Sequence, residues 1–173
     1  MANTYELIAS STVGAGGASS IDFTSIPSTY TDLMLMISTR VSDVGSGDDA
    51  VIAQFNADTG SNYSDIVLYG GGSSSTGSYT ETSFRAGYSS GQSQTANTFG
   101  NSSCYIPNYA GSAQKSGSTD WADEDNSSSS SYRGLAAAKW TGTAAINAIK
   151  LKSITGKTFA QYSTAYLYGV KNA

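Results

Sequence analysis

The sequence predicts an all-β protein, a two-sheet antiparallel sandwich of jelly-roll-like type, on three observations. Apolar residues recur with a period of two and hardly anywhere with helical periodicity, which places alternate side chains on opposite faces of a sheet. Ser, Thr and Gly make up roughly two-fifths of the chain while only 13% of residues are charged, a balance that suits strands with polar turns better than long helices. Turn signals such as Thr141-Gly142-Thr143 and Thr155-Gly156-Lys157 separate the alternating runs. A length of 173 residues fits one domain, residues 1–173, with a core that needs neither disulfide nor metal.

Taken in order, Tyr5 to Ala9 and Ser20 to Thr24 read as short early strands. Tyr30 to Val41 gives the clearest alternation: Leu33, Leu35, Ile37 and Val41 share one face, and Met34, Met36, Ser38 and Arg40 share the other. A fully apolar face backed by a half-apolar one predicts a central strand. Ala50 to Asn56 and Tyr63 to Tyr69 follow, the second ending in Gly70-Gly71-Gly72 as a turn or tip. Tyr79 to Ala86 and Phe99 to Ile106 are more polar and read as edge or outward strands, the second stopped by Pro107.

Tyr132 to Trp140, Ile146 to Ile154 and Phe159 to Val170 complete the set and are expected to be neighbouring antiparallel strands. Gly134 to Lys139 would also suit a helical turn, but its shortness and its flanking glycine and Trp-Thr-Gly turn favour a strand. The count is roughly eight to ten strands, the number expected of a sandwich. Ser73 to Ser75, Ser89 to Gln94 and Ser127 to Ser131 read as surface loops.

Composition also removes function classes. Nine basic residues against 13 acidic, a net charge of −4, give no basic face for nucleic acid. Zero His and a single Cys, Cys104, exclude an internal disulfide, His-dependent triads and His-zinc sites. The N-terminal Met-Ala-Asn-Thr-Tyr-Glu has no basic or apolar signal region and no window is apolar enough to span a bilayer. Synthesis in the cytoplasm without classical export is expected, and no membrane partner.

Few residues suggest chemistry. Asp120, Asp123, Glu124, Asp125 and Asn126 gather oxygen ligands but lack the order of an EF-hand, so a solvated loop is expected and no metal site is assigned. Asp48-Asp49 is read as a similar acidic tip. A glycosidase needs two carboxylates held on rigid strands, whereas here nearly all acids fall in predicted loops and Glu81 alone sits in a convincing strand. Cys104 reads as a buried small hydrophobe and Gly70-Gly71-Gly72 lacks the lysine and helix of a phosphate loop. Asn-x-Ser matches at Asn62, Asn101 and Asn126 would matter only on a eukaryotic secretory route. No catalytic residue, cofactor or enzymatic activity is expected.

The aromatics are the exception. Twelve Tyr and two Trp, with Tyr162, Tyr166 and Tyr168 on one parity of the last strand, favour core packing and secondarily a stacking surface. The candidate surface contacts are Trp121 and Tyr132, flanking the acidic serine loop, with Tyr88 and Tyr109 on other loops.

Three stretches carry a resemblance. They are Ile21 to Leu33, with Phe23, Ile26, Pro27, Tyr30 and Leu33 in the pattern F-x-x-I-P-x-x-Y-x-x-L; Ile106-Pro107-Asn108-Tyr109-Ala110-Gly111; and Phe159 to Val170. Across nearly the whole chain the sequence resembles a family of small virion structural proteins of tailed bacteriophages, common among phages of marine bacteria. The resemblance implies a β-sandwich particle component and brings no catalytic residues. Independently, Pro27 fixes a turn that launches the core strand and Tyr30 can pack at its corner. The expected role is a capsid decoration or cement protein on the outside of the assembled shell, bound to the major capsid protein or other virion proteins, with a homotrimer favoured. The alternative is a tail- or fibre-associated module that recognises a host-surface glycan through Tyr88, Tyr109, Trp121 and Tyr132.

Overall fold

The computed structural model describes residues 4–42, 47–70, 74–123 and 132–171. Among them are fourteen strands and no helix: β1 Tyr5–Thr12, β2 Ile21–Phe23, β3 Asp32–Thr39, β4 Val41–Ser42, β5 Asp48–Phe55, β6 Tyr63–Gly70, β7 Ser74–Glu81, β8 Phe84–Ser90, β9 Gly100–Ile106, β10 Lys115–Ala122, β11 Arg133–Trp140, β12 Ile149–Ser153, β13 Thr158–Phe159 and β14 Thr164–Val170. An eight-stranded sheet runs in the order β1-β14-β3-β9-β10-β11-β6-β7, a four-stranded sheet in the order β2-β12-β5-β8, and β13 pairs with β4. All of these strand pairs are antiparallel.

The two larger sheets form a sandwich because each turns one apolar parity inward. Leu33, Leu35 and Ile37 of β3, Cys104 and Ile106 of β9 and Leu167 of β14 share one core with Phe23 of β2, Phe55 of β5, Phe84 of β8 and Leu151 of β12. Phe55 links the layers directly: its ring lies 5.2 Å from Phe84 in its own sheet and 5.6 Å, edge-on, from Trp140 of the large one. The layers approach closely at a bulge, where the β5–β8 register shifts after Val51 opposite Gly87. Gly87 holds a φ of 141°, and a Cβ there would fall 2.2 Å from Ser102 Oγ. Glycine alone meets both demands.

The three stretches singled out in the sequence meet at one corner. The Tyr109 hydroxyl donates to the Pro27 carbonyl, Asp32 accepts from the Asn108 amide at 2.8 Å and from the Tyr105 hydroxyl, and the Thr31 amide donates to Val170. Gly169 lets the Tyr30 ring lie flat on β14, since a Cβ would sit 2.3 Å from that ring. The turn before β3 is thus fastened to the start of the loop after β9 and to the end of β14.

Several expectations need correction. The stretch Tyr79 to Ala86 is not one strand: it is cut at Thr82-Ser83, where the chain leaves the large sheet (β7) for the small one (β8). Phe99 to Ile106 yields β9, which is central, between β3 and β10. The three last strands are not neighbours. β11 pairs with β10 and β6, β12 lies in the other sheet, and β14 lies between β1 and β3, because a chain that alternates between layers separates strands adjacent in sequence. Ser89 and Ser90 are buried in β8 and belong to no surface loop. Nor are the acids mostly in loops: Asp22, Asp32, Asp48, Asp49, Asp65 and Asp120 all lie in strands. Ser74 and Ser75, expected in a loop, begin β7, while Gly71 and Gly72 of the glycine tip, Ser73, and Ser127 to Ser131 lie outside the described residues.

Candidate functional site

The four aromatic residues proposed as surface contacts do not form one. Tyr109 is fully buried in the main core. Trp121, on the inward parity of β10, is 4% exposed and packs with Val67 and Ala136 in a second, smaller cluster. Tyr88 belongs to β8 and not to a loop. It stacks on Trp121 at 5.1 Å and on Tyr132 at 6.2 Å with planes 6° apart, and Tyr132 in turn meets Tyr69 at 5.9 Å. Tyr88, Trp121 and Tyr132 are therefore brought together as a row of half-buried and buried rings, with Tyr69 added, while Tyr109 stands apart. Rings that spend their faces on one another have few faces left for a ligand.

Beneath this row lies a buried ion pair. Arg85 Nε sits 3.1 Å from Asp65 Oδ2, and both side chains are nearly inaccessible. The Arg85 guanidinium carbon lies 5.7 Å from the centre of the Tyr88 ring, and Thr119 Oγ1 donates to the Arg85 carbonyl. Asp65 Oδ1 and Trp121 Nε1 have no hydrogen-bond partner. The row and the pair together hold the second cluster between the sheets.

The other reactive groups are occupied with structure. Cys104 is fully buried and burial pushes its thiol up to about 12, so it holds no thiolate for attack near neutral pH. Lys115 is buried with Nζ donating to the carbonyls of Gly111, Ala113 and Thr143, and desolvation lowers its pKa. The Arg40 guanidinium donates to the carbonyls of Gln92, Gln94, Thr95 and Thr98 and so binds the loop between β8 and β9. Asp49, expected at an exposed tip, is buried in β5 and accepts from Ser153 and Thr155. In the acidic cluster, Asp120 points outward from β10 and accepts from Ser103, whereas Asp123 is buried and accepts from Ser90 and Gln94. Glu124, Asp125 and Asn126 lie outside the described residues. Among the described residues no three metal-binding side chains come together.

What is left open is the outer face of the large sheet, which the alternation in β3 and β14 hinted at and the rest of the sequence concealed. Two zones differ in chemistry. Toward the β7 edge, Ile66 and Leu68 of β6 and Leu135 of β11 are 64%, 49% and 57% exposed, and Leu68 stands directly opposite Leu135 in the register. Toward the other edge, Tyr166 and Tyr168 of β14 lie beside Met34 and Met36 of β3. There, an open groove of about 360 Å³ extends across β3 and β9 to Asp120 of β10. Tyr166 and Tyr168 thus carry no core packing; they face solvent. Contiguous apolar side chains on an exposed sheet mark a contact surface, since a free sheet usually turns polar residues outward.

No protein-family model matches the chain, and no curated protein is significantly similar to it.

Proposed function

We propose that this chain is a structural component of a bacteriophage particle, a decoration protein that docks onto the assembled coat and braces it. One observation carries the reading: the aliphatic zone of Ile66, Leu68 and Leu135, exposed on strands that are rigidly paired on both sides. Such a surface is costly to leave in water and becomes favourable once another protein covers it. The sequence resemblance to small virion proteins supplies the partner, the major capsid protein or a neighbour on the shell. Binding only the assembled form would shift the assembly equilibrium toward intact shells, and several copies about a symmetry axis, a trimer in the simplest case, would add avidity. The role requires no catalysis and no cofactor, in keeping with the structural use of Cys104, Lys115, Asp49 and Asp65.

The test is a comparison of particles. Those made without this chain should assemble and then release their genome at a lower temperature than complete ones. Restoring the chain with Ile66→Ser and Leu68→Ser together should not restore resistance. Equal release temperatures with and without the chain, or full rescue by the double variant, would refute cementing through this zone.

A further inference from the structure

We propose that the groove across β14, β3, β9 and β10 is a binding site for a neutral oligosaccharide. Its floor is set by strand register: Tyr166 stands opposite Met36, Met36 opposite Ser103, and Ser103 opposite Asp120. This row crosses three inter-strand steps, about 14 Å, the length of a few linked sugar rings. Tyr168 flanks the aromatic end and Asn101 the polar end, within the same groove of about 360 Å³.

The lining selects the ligand by chemistry. Tyr166 and Tyr168 offer ring faces for the C–H face of a pyranose, and the Met36 thioether adds a soft apolar contact between them and the polar end. Asp120 is exposed and uses one oxygen to accept from Ser103, so its carboxylate can take sugar hydroxyls as charge-assisted hydrogen bonds. Asn101, also exposed, supplies both donor and acceptor. The groove has one carboxylate and no basic side chain in its lining, and the whole chain carries −4. A phosphate, sulfate or uronic acid would meet repulsion there; a neutral sugar would not. An apolar partner segment would bury the second carboxylate oxygen of Asp120 and the Asn101 amide without supplying hydrogen bonds, at a cost that disfavours it.

The groove adjoins the aliphatic zone: Asp120 stands opposite Leu135, and Leu135 opposite Leu68. The saccharide proposal rests on the groove's own lining and stands whether or not Ile66 and Leu68 bind a shell.

The experiment is an NMR titration of the full chain with neutral trisaccharides built from glucose, galactose, mannose or N-acetylglucosamine, and with trigalacturonate as the acidic control. At least one neutral trisaccharide should give saturable shifts centred on β14, β3, β9 and β10. Tyr166→Ala should weaken that binding about tenfold or more and Asp120→Leu comparably, while Tyr166→Phe and Ile66→Ser stay within about twofold of the parent. Thermal unfolding of each variant checks folding, and Asp120→Leu decides the matter if Tyr166→Ala is destabilised. The proposal is overturned if no neutral trisaccharide saturates, if trigalacturonate binds tightest, if shifts centre on β6 and β11, or if both groove variants bind like the parent. None of these outcomes touches the particle-release measurement, so the two claims fail separately.

Discussion

Replacing Arg85 by Met is the perturbation that most directly probes how the second cluster is held. Asp65 Oδ2 has its ion-pair partner in Arg85 at 3.1 Å, its Oδ1 has no hydrogen bond, and its side chain is 1% exposed. Methionine would fill much of the same space but leave a carboxylate on the buried parity of β6, two residues from Val67 and opposite Ala138. Breaking a buried pair from one side costs about 3–5 kcal/mol. That is a large part of the stability of a typical domain, about 5–15 kcal/mol. At about 2–4 °C per kcal/mol for a chain of this size, the melting temperature should drop by about 6–20 °C. The double replacement Arg85→Met with Asp65→Leu should recover most of the loss, since the pair also carries a desolvation penalty that two apolar residues avoid. Urea unfolding of parent, both single variants and the double variant gives the coupling directly. A single-variant loss below about 1 kcal/mol, or a double variant as unstable as the sum of the singles, would show that the pair is not what keeps Asp65 inside.

Other expectations follow from the same structure. Leu35 is fully buried between Leu167 and Cys104 in the register, so Leu35→Ala should cost about 2–5 kcal/mol by denaturant melt, and a loss under about half a kcal/mol would misplace the core. Stability should fall as pH rises from 9 toward 12: burial pushes Cys104 from 9.0 and Tyr63 from 10.0 up to about 12, and the hydrogen bond to Asp32 does the same for Tyr105. The folded state keeps these protons after the unfolded chain has lost them, so the contribution is complete below 9 and is lost through that window; a flat alkaline profile by chemical denaturation would contradict it. At the acid end, the Trp140 indole and the Gly60 amide hold the Asp58 carboxyl below its usual 3.8. That contribution is present above 3.8 and should disappear as pH falls below it, and Asp58→Asn should flatten the acid limb of the same profile.

How much of this was legible in the sequence depended on whether a strand's two parities differ. In β3 they do: Leu33, Leu35 and Ile37 against Met34, Met36 and Ser38, and the burial follows that division. In β6 they mislead, because Asp65 lies on the inward parity while Ile66 and Leu68 lie outward; only a partner on β8, Arg85, makes that arrangement tolerable, and nothing local announces it. β10 was missed entirely. Lys-Ser-Gly-Ser-Thr-Asp-Trp-Ala has almost no strand propensity, yet Gly117 admits the Phe84 ring, with a Cβ only 2.9 Å from it, and Lys115 is neutralised as a hydrogen-bonding problem by three carbonyls. Tertiary partners override propensity there. The aromatic candidates failed for a related reason: serine-rich surroundings suggested loops, whereas Tyr88 is fixed within β8 one residue past the Gly87 bulge, and Trp121 lies inside.

The distribution of polar groups sets the outer face apart from the rest of the sandwich. Thr39, Asp49, Asp65, Arg85, Thr119 and Asp123 are buried in strands or at strand ends; Asp65 pairs with Arg85 and Thr119 donates to the Arg85 carbonyl across the layers, while Asp49 accepts from Ser153 and Thr155 beside its own sheet. A sandwich of this composition has therefore drawn part of its limited charge inward, while Leu135, Ile66, Leu68, Met36 and Tyr166 remain outside. Folding alone gives no reason for that exchange, since moving the charge out and the aliphatic groups in would raise stability on both counts. The exchange makes sense where the outer face is to be covered or occupied. The aliphatic end then suits a protein surface, which is excluded from water on contact, and the aromatic groove with Asp120 and Asn101 suits a ligand that brings its own hydroxyls.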